Sequence, residues 1–152
     1  MNMSDGWEWI PCSNKDLETY NRCMNIRHTV FNDEQQVPME IEFEYEDECS
    51  HFLLTVGGQD AAQARFRKME DGYKCERVAV MKEFRGKGIG KVLMQNLIRE
   101  IKVARGDGKE AIVTHAQLPA IEFWKKLHFL PHGDLFEEGG IMHYNCNLDE
   151  SK

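Results

Sequence analysis

The stretch that decides the fold is Val78-Ala-Val-Met-Lys-Glu-Phe-Arg-Gly-Lys-Gly-Ile-Gly-Lys91, where an apolar, strand-like run enters a glycine-dense loop that opens a helical pattern. The loop carries three alternating glycines and three cations: Gly86, Gly88, Gly90, Arg85, Lys87 and Lys91. Glycine permits a positive φ and a close approach of a ligand to the main chain. Successive amide N–H groups at the start of a helix attract anions, and neighbouring cations strengthen that attraction. The stretch therefore predicts a site for a pyrophosphate group.

Two better-known phosphate loops do not match these residues. The NTPase pattern G-x-x-x-x-G-K-[ST] fails because no Gly-Lys pair here is followed by Ser or Thr. The dinucleotide pattern G-x-G-x-x-G fails because Leu93 replaces the third glycine. The remaining alternative to a pyrophosphate site is a glycine-rich turn whose charges only keep the surface hydrated.

The segments on either side of the loop alternate between strand and helix patterns. Before it, we predict a strand at Trp7–Ile10, a helix at 15–31, a loop at 32–50, a hairpin at 51–68 and a strand at 73–80. After it, we predict helices at 90–104 and 119–127 and strands at 110–115 and 140–145. This order indicates an α/β or α+β fold, a mixed sheet with helices on both faces, in a single domain covering residues 1–152.

Composition narrows the functional classes. The chain has 152 residues with 41% hydrophobic residues and a formal net charge of −7, so it is acidic where a general nucleic-acid binder is basic. Its five cysteines are odd in number and contain no C-x-x-C pair, which favours a reducing compartment. No apolar run approaches the ~20 residues that cross a bilayer, and Met1–Glu8 lacks a signal pattern. We expect a cytoplasmic protein that binds neither nucleic acid nor membrane.

Several segments resemble one enzyme family. Arg85-Gly-Lys-Gly-Ile-Gly90 matches the [RQ]-x-x-G-x-[GA] acetyl-CoA signature of the GNAT superfamily of N-acetyltransferases. Residues 76–80 resemble the family's fourth strand, and 117–129 resemble its N-x-x-A-i-x-l-Y-x-x-L-G-F segment. Residues 26–38, 115–117 and 140–143 resemble a subgroup of small stand-alone members. The resemblance covers most of residues 26–145 and implies the family's acyl-CoA N-acyltransferase fold.

The resemblance implies direct transfer of an acetyl group from acetyl-CoA to the primary amine of a small molecule. Independently, the histidine spacing predicts no metal site, because His128 and His132 lack a paired cysteine motif or a third ligand. The backbone of Val78–Val80 would hold the pantetheine arm, and the amides of 86–91 would hold the pyrophosphate. The implied cofactor-binding residues are Val78, Ala79, Val80, Arg85, Gly86, Lys87, Gly88, Ile89, Gly90, Lys91, Gln117, Phe123 and Trp124.

The catalytic groups depart from the family's pattern. Trp124 stands where the family commonly has a tyrosine that protonates the departing thiolate, and an indole N–H has no usable pKa. Water or another hydroxyl, for which Tyr144 is the candidate, would have to supply that proton. The amine must lose a proton before it attacks, and Glu76 or His115 is the predicted base. Their alternatives are a carboxylate ion-paired with Arg77 and a structural histidine.

Two opposed charge patterns bear on the acceptor. Four cationic residues form a candidate anion-binding cluster: Arg27, His28, Arg65 and Arg67. This favours a phosphorylated or carboxylated amine, and glucosamine 6-phosphate is the specific prediction among acceptors known for small GNAT enzymes. The acidic run Glu40–Glu48 instead favours polyamines or lysine-bearing peptides. A non-catalytic CoA-binding regulatory domain is a further alternative, and a homodimer through residues 143–147 is possible by analogy with relatives.

Overall fold

A computed structural model of the chain describes residues 6–13 and 15–151. Its strands are β1 (Trp7–Cys12), β2 (Cys49–Val56), β3 (Gln59–Lys68), β4 (Gly72–Val80), β5 (Ala111–Gln117), β6 (Phe129–Glu138) and β7 (Ile141–Leu148). Its α-helices are α1 (Leu17–Arg27), α2 (Met39–Glu42), α3 (Ile89–Arg105) and α4 (Ile121–Lys126). A π-helical segment, His28–Glu34, continues α1.

The strands form one mixed sheet in the order β1-β2-β3-β4-β5-β7-β6. Every neighbouring pair is antiparallel except β4 and β5, which are parallel over Gly72–Cys75 and Ala111–Thr114. A parallel pair needs a long crossover, which α3 provides. The predicted α/β fold with a mixed sheet is confirmed.

Helices cover both faces of the sheet. Helix α3 lays Leu93, Leu97 and Ile101 on one face, each without exposed surface, as their helical spacing predicts. On the other face, Cys23 and Ile26 of α1 pack with Phe31 into a second, smaller core. The sheet therefore separates two layers of helices. The gap where β4 and β5 part opens toward both layers.

Three segments differ from the sequence-based prediction. Strand β6 was not predicted, because Pro131, Gly133 and the exposed charges of an irregular edge strand disguise its alternation. The predicted loop at 32–50 holds π-helix, α2 and a 3₁₀ turn at Glu46–Glu48. Strand β7 lies between β5 and β6, so residues 143–147 have strand partners on both sides and cannot extend the sheet into a second copy.

No helix within the described ranges is long and apolar enough to cross a membrane. Over the same residues, no group of three or more His, Cys, Asp and Glu side chains is arranged to hold a metal ion.

Candidate active site

The central cavity lies where β4 and β5 part. Their pairing stops at Cys75 and Thr114, so the rest of β4 has no partner strand on that side among the described residues. A cavity of about 340 Å³ fills the gap and is lined by residues of both helical layers. Pockets of this size hold small molecules.

A bulge at Arg77 bends β4 away from β5. The register between β3 and β4 shifts between Gln63 and Arg65, and Arg77 has a φ of 52°. The side-chain amide of Gln63 donates a hydrogen bond to the carbonyl oxygen of Arg77 and fixes the bend. A bulge with a residue in the left-handed region increases local bending, which opens the sheet here.

The glycine loop forms one end of the cavity. Gly86 and Gly88 have φ values of 77° and 80°, and a Cβ at either would meet nothing within 4 Å. A Cβ at Gly90 would lie 3.0 Å from Cε1 of Phe123, so helix α3 starts in close contact with that ring. The backbone of the loop is thus left-handed at the two glycines before α3, and the space beside it is open for a ligand. The pyrophosphate prediction requires both features.

The charges around this loop are largely accessible. Lys87 and Lys91 are exposed, and no ion pair joins either to a described residue. Arg85 donates to the Val80 carbonyl oxygen and forms an ion pair with Glu34 at 3.0 Å. A diphosphate would therefore meet two uncommitted lysines and one loosely committed arginine.

The other predicted cofactor-binding residues fall into two groups: some line the cavity with their side chains, and others can offer a ligand only their backbone groups. Side chains of Val78, Val80, Gln117, Phe123 and Trp124 line the cavity. The indole N–H of Trp124 has no hydrogen-bond partner among the described residues. Ala79 and Ile89 point into the two cores, so only their backbone groups are available to a ligand. These features fit an acyl-CoA arm between the bent strand and α4.

His115 lies on β5, across the gap from β4, and is paired with Glu138. Its Nδ1 is 3.2 Å from Oε2 of Glu138. The hydrogen bond to His115 keeps the pKa of Glu138 low, at about 2, so the carboxylate is ionised and only accepts. His115 Nδ1 therefore carries the proton of this hydrogen bond, and Nε2 is the ring nitrogen that remains to accept a proton from another group.

A second imidazole lines the cavity beside this pair. Nδ1 of His143 donates to the Ile141 carbonyl oxygen at 2.7 Å, which leaves its Nε2 as the acceptor nitrogen. Burial lowers the pKa of His143, so the ring is neutral near pH 7. Phe136 stands between the two rings, edge-on to His115 and stacked on His143.

Glu76 lines the cavity but is a poor proton acceptor. Its carboxylate pairs with Arg65, Arg67 and Lys74 at 3.0–3.2 Å. Although burial opposes ionisation, the charges of Lys74, Arg65 and the more distant Arg77 hold the pKa of Glu76 below its usual value. The predicted pairing with Arg77 is not among its ion pairs, and the prediction of Glu76 as the base loses its physical support.

The structure contradicts the predicted anion-binding cluster. Arg27 and Arg65 have no exposed surface, and both donate to Glu46, while Arg27 also pairs with Glu42. Arg67 stacks on the Tyr45 ring, and the exposed His28 lies outside the cavity. The two buried arginines are thus neutralised by Glu42 and Glu46 of the acidic run.

Tyr144 is likewise not in the cavity. Neighbouring residues of a strand point to opposite faces, and His143 takes the cavity face of β7. Tyr144 packs against the core under α3 and α4 instead. It is not placed to donate a proton to a group bound beside Trp124.

The sequence-based analysis gave no site role to several polar residues of the cavity, among them Gln35, Lys74, Arg77, Glu138 and His143. Gln35 exchanges two hydrogen bonds with Gln117, at 2.9 and 3.3 Å, and so ties the π-helical segment to β5. A π-helical turn is itself a common mark of a functional site, but its sequence gives no local signal. Glu138 lies on the unpredicted strand β6, 23 positions from its partner His115.

Comparisons with known proteins agree on one family. The model of the acetyltransferase (GNAT) family matches residues 17–129. An uncharacterised N-acetyltransferase of Bacillus subtilis, YjcF, is 36% identical over 138 residues, which cover 89% of this chain and 96% of YjcF.

Two solved structures share the fold. Escherichia coli ElaA superposes with a TM-score of 0.81 at 22% identity, covering 93% of this chain and 99% of ElaA. A GNAT family acetyltransferase from Elizabethkingia anophelis with acetyl-CoA bound has a TM-score of 0.70 at 13% identity, covering 96% and 99% of the two chains.

Proposed function

The chain belongs to the acetyltransferase (GNAT) family and is an acetyl-CoA-dependent N-acetyltransferase, and on that premise we propose that it acetylates the primary amine of a small molecule, with His115 accepting the amine proton. The observation that carries the proposal is the cavity itself. It joins the glycine loop on one side of the sheet to the His115–Glu138 pair on the other.

Acetyl-CoA supplies an acetyl group activated as a thioester. The amides of residues 86–91 would hold its pyrophosphate, and the unpaired edge of β4 after Cys75 would hold its arm. The Trp124 N–H, which has no hydrogen-bond partner in the described part of the chain, would donate a hydrogen bond near the sulfur but cannot protonate it. With Tyr144 outside the cavity, we assign the thiolate's proton to water.

The proton step belongs to His115. An ammonium group has no lone pair, so the amine must give up a proton before or during attack. Nε2 of His115 can take it, because Glu138 holds the other proton on Nδ1 and stabilises the imidazolium that forms. His143 offers a second Nε2, but its Nδ1 is held by a carbonyl oxygen, which stabilises an imidazolium less than a carboxylate does.

The experiment compares three histidine variants in an acetyl-CoA thiol-release assay. His115→Gln should lower kcat/KM by about 10²–10⁴-fold at pH 7. The loss should shrink as the pH rises toward the amine pKa, because more acceptor is then already neutral. A matched change at the exposed His132, outside the cavity, should leave kcat/KM unchanged. A full loss for His143→Gln with a normal His115→Gln enzyme would move the role to His143.

The structure changes the weight of each predicted acceptor. Glucosamine 6-phosphate was predicted from arginines that are buried in ion pairs, so it now rests on no observed group. The polyamine or peptide alternative loses Glu42 and Glu46, which point inward to those arginines. A panel of amines and peptides tests all of these, and acetyl-CoA binding without thiol release for any amine would support the regulatory alternative.

A homodimer and a cytoplasmic location stay predictions. If a dimer forms by strand pairing, it must use an outer strand, β1 or β6, since these end the sheet. Light scattering of the purified protein measures the oligomeric state.

A further inference from the structure

We propose that Arg77 forms an oxyanion-binding subsite at the acceptor end of the cavity, so that the preferred acceptor is an amine that also carries a carboxylate or a phosphate. This inference deepens the proposed function and rests on it for the identity of the site. It concerns a residue that sequence reasoning treated only as a possible partner of Glu76.

The hydrogen bonds of Arg77 leave one guanidinium nitrogen free. Nε donates to the Glu42 carbonyl oxygen at 2.9 Å, and Nη2 donates to the Ile41 carbonyl oxygen at 2.6 Å. Nη1 has no partner among the described residues and is not among the fully buried atoms that lack one. The side chain lines the cavity, so a donor with a full positive charge remains accessible there.

Two of the three carboxylates near Arg77 form ion pairs with other cations, and the third is hydrogen-bonded to an imidazole. Glu42 pairs with Arg27, and Glu76 pairs with Arg65, Arg67 and Lys74. Glu138, which also lines the cavity, is hydrogen-bonded to His115.

This leaves a surplus of positive charge. Five cations, Arg27, Arg65, Arg67, Lys74 and Arg77, face four carboxylates, Glu42, Glu46, Glu76 and Glu138. Among them Arg77 is the one with no carboxylate within ion-pair distance in the described residues. Arg77 is only partly exposed. A partly buried charge with no ion-pair partner is costly, and an acceptor anion would lower that cost.

The backbone of Arg77 adds an independent observation. Its φ of 52° lies in the left-handed region, which a residue with a Cβ enters only at an energetic cost. Glycine or asparagine would adopt this bend more easily. A strained residue that carries a long cationic side chain into a cavity is typical of functional positions.

A purely structural role is the competing explanation, since Arg77 binds two carbonyl oxygens at the end of α2. The two roles predict different data. Loss of a structural contact would lower kcat/KM for all acceptors alike. Loss of an anion subsite would lower kcat/KM only for acceptors that carry the anion.

The experiment measures kcat/KM for matched acceptor pairs: 4-aminobutyrate against butylamine, and glucosamine 6-phosphate against glucosamine. The wild-type enzyme should prefer the anionic member of at least one pair by about tenfold or more. Arg77→Gln should bring that ratio close to one, and Arg77→Lys should keep part of it. Equal use of both members by the wild type, or an equal loss for both in Arg77→Gln, would overturn the proposal.

A binding measurement separates this proposal from the proposed function. The Tm of the acetyl-CoA-saturated protein is recorded with glutarate and with inorganic phosphate, with Lys125→Gln, an exposed lysine outside the cavity, as the control. At least one anion should raise the Tm of the wild type and of Lys125→Gln but not of Arg77→Gln. The anion that gives the larger rise in Tm shows whether the subsite prefers a carboxylate or a phosphate. No rise in the wild type would overturn the subsite even if amines are acetylated. A rise without acetylation of any amine would leave the subsite standing and contradict the proposed function.

Discussion

The molecule has two basic regions that look alike in sequence and differ in burial. In the glycine loop, Lys87 and Lys91 are exposed and have no acidic partner among the described residues. On the other face of the sheet, Arg27 and Arg65 are fully buried. The comparison shows that a cluster of cations indicates a ligand site only where the chain does not supply the counter-charge itself.

The buried region is an ion network in which the acidic run folds back onto the arginines. Its members are Arg27, Arg65, Arg67, Lys74, Glu42, Glu46 and Glu76. Glu46 joins Arg27 to Arg65, and its carboxylate also accepts from Tyr20. Such a network positions α2 and β3 beside the cavity, but its arginines do not line it.

The largest expected effect comes from breaking this network at its centre. Glu46→Gln should lower the free energy of unfolding by about 3–5 kcal/mol, because two buried guanidinium groups lose their shared carboxylate. Urea denaturation measures the change. Glu122→Gln, which removes an exposed pair with Lys125, is the matched control and should cost less than about 0.5 kcal/mol. Equal losses in the two variants would mean that the buried region stabilises no more than a surface pair.

The second-largest effect is expected from acid, which should lower the free energy of unfolding through the buried region. Nearby cations hold the pKa values of Glu46 and Glu76 below the unfolded value of 4.5, although burial opposes this. Their stabilisation is thus complete above pH 4.5 and is lost as the pH falls through the lower folded pKa values. Burial lowers the pKa of His51, so its contribution is complete above pH 6.5 and declines below it in the same direction.

Unfolding free energies measured from pH 7 to pH 3 should therefore fall, by an amount of the order of a few kcal/mol. Glu76→Gln should flatten the part of the curve below pH 4.5, because its titrating carboxylate is gone. A wild-type curve that stays level down to pH 3 would contradict the assigned pKa shifts.

The smallest effect is expected in the glycine loop, where cations serve a ligand and not the fold. Lys87→Gln and Lys91→Gln should each raise the Kd for acetyl-CoA about three- to tenfold at low salt and less at high salt, because exposed charges are screened. The free energy of unfolding should change by less than about 0.5 kcal/mol. Calorimetry measures the Kd, and urea denaturation measures the free energy of unfolding. Loss of stability without loss of affinity would mean that these lysines stabilise the fold and do not bind the ligand.

The sequence predicts the local parts of this molecule better than the distant pairings. The glycine loop, α3 and the strands before and after it follow from residues adjacent in the chain, since periodicity and turn chemistry are local properties. The pairing of Arg65 with Glu46 joins residues 19 positions apart and depends on how β3 meets the 3₁₀ turn. Sequence alone therefore indicated cations but not their burial.

The candidate site shows the same division. His115 was predicted from its place at the end of a strand, and the structure pairs it with Glu138, which lies on a strand that no pattern indicated. Arg77 owes its position to a bulge whose backbone an arginine adopts at a cost, and composition gives no sign of it.

Backbone amide chemical shifts recorded during a titration with acetyl-CoA test the account most directly. The account predicts saturable binding with the largest amide shifts at residues 86–91, followed by Val78 and Val80 on the bent strand. Saturable binding that leaves the amides of 86–91 unmoved, with shifts concentrated elsewhere, would contradict it.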